Sequence, residues 1–159
     1  MKKHVSRLAM AALACVLVAF AVVLAGCAAA GGGTLSSEVN ADTGAFKATA
    51  SNADLDSAVG STDAITLTKD DLLLVSPDLT KGKMQVTLAD KSGNTVFDKV
   101  VDGRVLDAYE VKEGTYNIMM TCKEAGTTGS VLAVSINAQE YAAQNESLDE
   151  AMAKIGANS

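Results

Sequence analysis

Met84-Gln85-Val86-Thr87-Leu88-Ala89-Asp90-Lys91-Ser92-Gly93-Asn94-Thr95-Val96-Phe97 carries the clearest pattern in the chain. Met84, Val86 and Leu88 recur at every second position, with Gln85 and Thr87 between them. That period places the apolar set on one face of an extended strand and the polar set on the other. Asp90 to Asn94 is a run of turn formers, so the chain reverses and Thr95 to Val101 returns alongside, Val96 and Phe97 pointing opposite ways. A strand, a tight turn and a second strand make a hairpin, which needs further strands to bury its apolar face.

Those strands are legible on both sides. Downstream, Asp102-Gly103 reads as a two-residue turn leading into a strand from Arg104 to Val111. Lys112-Glu113-Gly114 turns again. Thr115 to Lys123 then sets Tyr116, Ile118, Met120 and Cys122 on one face, and Ser130 to Asn137 predicts a last strand with Leu132, Val134 and Ile136 inward. Upstream, Leu72 to Val75 is a continuous apolar run that predicts burial on both sides, ended at Ser76-Pro77-Asp78 because Pro cannot donate to a ladder. Ala64 to Thr68 alternates, Asn52 to Thr62 reads as a loop, and Ala45 to Ala50 is a first strand carrying Phe46. Short strands at this spacing predict an all-β, antiparallel β-sandwich, jelly-roll or immunoglobulin-like, of seven or eight strands over residues 44–137. The tail, 138–159, changes period. Ser147 and Glu150 have the form of a capping box, and Leu148, Ala151, Met152 and Ile155 form one helical stripe, so a short helix is expected from Leu148 to Ile155.

Glu113-Gly114-Thr115-Tyr116-Asn117-Ile118 and Gly129-Ser130-Val131-Leu132-Ala133-Val134 together resemble the final strand pair of small bacterial β-sandwich modules such as pre-peptidase C-terminal domains. The resemblance implies a sandwich and no particular activity.

The start of the chain carries a different message. Lys2, Lys3 and Arg7 precede an uncharged run from Leu8 to Ala25, which ends at Leu24-Ala25-Gly26-Cys27. Charge, apolar core, small residues and Cys in this order resemble the lipobox of bacterial lipoprotein precursors. The resemblance implies a signal peptide over 1–26, cleavage between Gly26 and Cys27, and lipid on the Cys27 sulfur. A membrane-spanning helix is the rival reading of the same run, but its Ala content shortens the effective apolar core toward that of a signal peptide. Either reading puts the rest of the chain outside the cytoplasmic membrane, and lipidation would make the membrane a partner through Cys27. Residues 27–43, with three consecutive glycines at Gly31 to Gly33, read as a lipidated Cys and a flexible tether.

Cleavage would remove three of 13 basic residues and none of 19 acidic ones, leaving a formal balance of −9. That acidity argues against nucleic acid and against charge-driven binding to anionic lipid. Cys15 and the chain's one His, His4, would leave with the signal peptide, Cys27 would take the lipid, and Cys122 would stand alone with no disulfide partner. With no His and no Trp, Ser-His-Asp and Cys-His nucleophiles and His-ligated zinc or copper are excluded, and sugar stacking on Trp with them. No catalytic constellation and no cofactor are expected.

Asn52, Asp54, Asp56 and Asp63 fall at calcium-loop positions 1, 3, 5 and 12, but Ser57 stands where Gly is wanted and no amphipathic helices flank the run. An Asx-rich turn explains it equally well, so no metal is expected. Cys122, alternating with Tyr116, Ile118 and Met120, reads as a core residue. Tyr109 is a candidate ligand platform, with core packing as the plainer reading. The functional expectation is a monomeric, lipid-anchored, non-catalytic binding or structural module whose partner is an envelope protein or wall polymer. The alternatives are a small carboxylate-based hydrolase acting on envelope glycans and an accessory subunit of an envelope complex.

Overall fold

The computed structural model describes residues 23–24 and 32–146. The expected signal peptide other than Val23–Leu24, the expected lipidation site Cys27 and the helix expected over Leu148–Ile155 lie outside the described residues. Ten strands occur among those described: β1 (Val23–Leu24), β2 (Thr34–Asn40), β3 (Ala45–Ala53), β4 (Ala58–Leu67), β5 (Asp71–Lys81), β6 (Lys83–Ala89), β7 (Thr95–Asp102), β8 (Asp107–Tyr109), β9 (Gly114–Cys122) and β10 (Thr127–Asn137). Residues 138–146 are helical.

The strands form two sheets, ordered β1-β2-β3-β10-β5-β8 and β4-β9-β6-β7, with every pairing antiparallel. The pairs β6·β7, β5·β8, β4·β9 and β3·β10 nest one outside the next. The chain is thus one long hairpin folded over on itself, which is the jelly roll rather than the immunoglobulin arrangement. Eight strands, β3 to β10, lie within 44–137, as expected.

The expected hairpin forms as β6 and β7, with Met84, Val86 and Leu88 fully buried. Asp90 organises its turn, accepting the Ser92 and Asn94 amides at 2.8 and 2.9 Å. Tyr116, Ile118, Met120 and Cys122 face inward from β9, and join Phe46, Leu73, Val75 and Val131 in one core between the sheets.

Several expectations are corrected. The tether does not run to Thr43, because Thr34 to Asn40 is strand β2, paired along its length with β3. Leu35 is buried, Val39 packs on the core, and Ser37 lies between them, so the pattern is period 2 on a strand with few apolar residues. Asn52 to Thr62 is not one loop; the turn spans only 54–57, and β4 begins at Ala58. Pro77 does not end β5. Leu73 and Val75 pair with β8 and the Leu79 amide reaches the Gly103 carbonyl on that same side. Pro77, two residues from each, turns its missing N–H to the same side, beyond the short β8 ladder, where Pro is tolerated. Asp102-Gly103 is no hairpin turn, because the chain crosses there from one sheet to the other and only Asp107–Tyr109 of the expected strand is extended.

The alternation in β10 is inverted. Val131 and Ala133 face the core, whereas Leu132, Val134 and Ile136 face out and form a second cluster with Ala45, Leu74 and Tyr141. The helical residues bring Tyr141 over this outer face. Asn137 caps them, its side-chain oxygen accepting the Gln139 amide at 3.0 Å. Leu72 to Val75 is buried on both sides as expected, Leu73 and Val75 inward and Leu74 outward.

The sandwich has two ends. The near end, where β2 begins, carries the turns 54–57, 81–83, 103–106 and 123–126. The far end carries 41–44, 68–70, 90–94 and 110–113, together with the start of the helical segment.

Candidate functional site

The β4–β5 turn, the β8–β9 connection and the first helical residues meet at the far end around an open depression of about 660 Å³. Lys69, Asp70, Asp71, Glu110, Lys112 and Glu113 line it. These residues lie far apart in sequence and gather because each closes a strand at the same end of the roll. The volume suits a small ligand. Asp71 has local work there: its Oδ2 accepts the Thr68 amide at 2.7 Å. That backbone donor, followed by the Thr68 hydroxyl, holds the Asp71 carboxyl below its ordinary range. A general acid needs the opposite shift.

Tyr116 pins the 110–113 loop at this end from within the core. Its hydroxyl donates to the Lys112 carbonyl at 2.6 Å, with a longer contact to Glu113 at 3.3 Å. The ring crosses over Gly114, where a Cβ would sit 2.9 Å from the hydroxyl. This is a tyrosine corner, and it explains Gly-x-Tyr physically: the ring that pins the loop needs a bare backbone beneath it.

The four calcium candidates are not brought together. Asp56 pairs with Lys123 at 3.5 Å at the near end, and Asp63 with Lys91 at 3.6 Å beside the β6–β7 hairpin. Seven residues of mostly extended chain separate them, roughly 20 Å. Asn52, Asp56 and Asp63 each have positive φ, a local role that Asn and Asp tolerate well. Among the described residues, no group of three or more His, Cys, Asp or Glu is placed to hold a metal ion.

Cys122 is buried, and its burial pushes the thiol pKa up, with the Thr127 hydroxyl opposing. Tyr109 packs its ring on Phe97, centroids 5.0 Å apart, and donates to Asp107 at 3.2 Å. It closes the edge of the core rather than offering a free platform. Lys99 stands 6.0 Å from the same ring on edge strand β7, a charge that discourages edge-to-edge pairing.

A second depression, of about 690 Å³, lies on the outer face of the β4-β9-β6-β7 sheet around Gly60, Thr87 and Met119. Sequence reasoning singled out neither depression. Glu113 reads as a turn residue and Glu110 as part of a strand, and only strand order makes them neighbours of Lys69.

The fold defines a jelly-roll β-sandwich. No protein-family model matches the chain, and no curated protein matches it. Among solved structures it is similar to a recombinant pro-11S globulin of pumpkin, at 18% identity and a TM-score of 0.35 over 72% of this chain. The match spans only 28% of the globulin.

Proposed function

We propose that this chain is a lipid-anchored, non-catalytic binding or structural module on the outer side of the cytoplasmic membrane. The observation that carries the reading is the short distance from the lipobox-like Leu24-Ala25-Gly26-Cys27 to the folded domain, since β2 begins at Thr34. A signal sequence, a brief Gly-rich tether and a compact all-β domain is the layout of a displayed module. Cleavage before Cys27 removes β1 and leaves β2 as the sheet edge. The domain binds as a monomer, through loops and sheet faces held on a rigid scaffold, to an envelope protein or wall polymer. The accessory-subunit reading is the case in which that protein partner is a larger envelope complex.

Two experiments test this. Intact mass of the membrane-extracted protein will lack residues 1–26 and carry acyl mass on Cys27, and Cys27→Ser will abolish both. Cross-linked pull-down from whole cells will recover a stoichiometric partner.

A carboxylate-based glycan hydrolase is the second reading, favoured by the carboxylates around the far-end depression. Its mechanism needs two carboxyl groups about 5–10 Å apart, one of them protonated. Turnover of an envelope glycan that disappears in Glu113→Gln would establish the hydrolase and end the binding-module reading.

A further inference from the structure

The near end of the roll joins three features. First, the chain leaves for its anchor there. Gly33 lies so close against the Asn52 carbonyl that a Cβ would overlap it, which fixes the exit beside the 54–57 turn. Second, large apolar side chains stand in water in that half of the molecule. Leu55 is 54% exposed on the 54–57 turn, and Val100, Val105 and Leu106 are 53, 68 and 43% exposed where β7 crosses to β8. They occupy two corners of the same end, either side of the β5–β6 turn.

Third, charge is graded along the long axis. The far-end turns, with their flanking residues 40–45, 68–71, 90–94 and 110–113, carry six carboxylates against three lysines. The near-end turns, 54–57, 81–83, 103–106 and 123–126, with the flanking Asp102, carry four of each sign. Much of the near-end charge is also paired internally, Lys83 with Glu124 at 3.2 Å and Lys123 with Asp56 at 3.5 Å. The overall acidity that repels an anionic surface is therefore concentrated away from the exit.

We propose that the near end docks on the lipid surface, with Leu55 and the Val100–Leu106 corner seated among the headgroups and the far-end depression facing outward. This rests on lipidation of Cys27. Seven residues from Cys27 to Thr34 span at most about 25 Å, whereas the eleven-residue strand β5 is roughly 35 Å long. The far end therefore cannot come down to the lipid unless the domain lies over with its tether drawn out. Apolar side chains at the headgroup level bury surface that would otherwise meet water. An anionic leaflet repels the acidic far end and leaves the balanced near end indifferent.

The chain contains no Trp, so single tryptophans report position cleanly. The acylated full-length protein is reconstituted in phosphatidylethanolamine–phosphatidylglycerol vesicles, with and without brominated acyl chains. Variants Leu55→Trp and Val105→Trp report the near end. Ser92→Trp and Val96→Trp are the far-end controls, Val96 being exposed and apolar like Val105. The expected result is a blue shift and loss of emission to brominated lipid at 55 and 105, and neither at 92 and 96. Protein that floats with vesicles while 55 and 105 emit like the controls overturns the docking and leaves the anchor standing. Quenching at all four positions overturns the orientation. Absence of acyl mass or of flotation overturns the anchor reading and this inference with it.

Discussion

The Tyr116 hydroxyl donates to the carbonyl of Lys112, four residues earlier, at 2.6 Å, and so ties the start of β9 to the loop that lines the far-end depression. Tyr116→Phe removes the donor and leaves a half-buried carbonyl poorly paired, at a cost of about 1 kcal/mol. Gly114→Ala pushes a methyl group against the ring and costs about 1–2 kcal/mol. The two changes share one contact, so urea unfolding of the double variant should show non-additivity of about 0.5 kcal/mol or more. Simple addition would refute a shared contact.

Phe46 is fully buried between the sheets, whereas Tyr141 covers the outer cluster from the helical segment. Phe46→Ala should cost about 3–5 kcal/mol. Tyr141→Ala should cost less and leave the cooperativity of denaturant unfolding unchanged. Equal losses would mean that the outer cluster and the inter-sheet core carry the fold alike.

Cys122 should resist thiol reagents in the native protein. Burial holds its thiol pKa above the ordinary range, and a buried thiol has neither solvent access nor thiolate character. Native protein at neutral pH should label with dithionitrobenzoate only as fast as it unfolds, and denatured protein at once. Rapid labelling of the native state would place the sulfur at the surface.

Asp90 is held below the ordinary carboxylate range, first by the Asn94 side chain and then by the Asn94 amide. A depressed folded pKa stabilises at pH values above the unfolded one, about 3.9, and that stability is lost as pH falls through the folded value. The Tm gap between wild type and Asp90→Ala should therefore be full at pH 6 and close progressively below about pH 4. A gap independent of pH would show that the turn does not depend on the ionised carboxylate.

How far the fold was legible follows from how local each signal is. Met84, Val86 and Leu88 announce β6, and Asp90 to Asn94 its turn, because alternation and turn chemistry act over a few residues. Tyr116 to Cys122 are legible for the same reason. β2 and β4 were hidden because they carry few apolar residues and one wet face fills them with Ser, Thr and single acids, which read as linker or loop. The far-end depression had no signal at all, since Asp70, Glu110 and Gln139 become neighbours only when three separate strands end at one place.

Period and composition were enough for the all-β class, the β6–β7 hairpin, the inward face of β9 and the burial of Cys122. That the strands nest as a jelly roll, and that Val131 rather than Leu132 faces the core, follows from long-range packing. Alternation says that neighbouring side chains part to opposite faces. Which face is inside depends on what covers each one, and in β10 both are covered, by the second sheet on one side and by Tyr141 of the helical segment on the other.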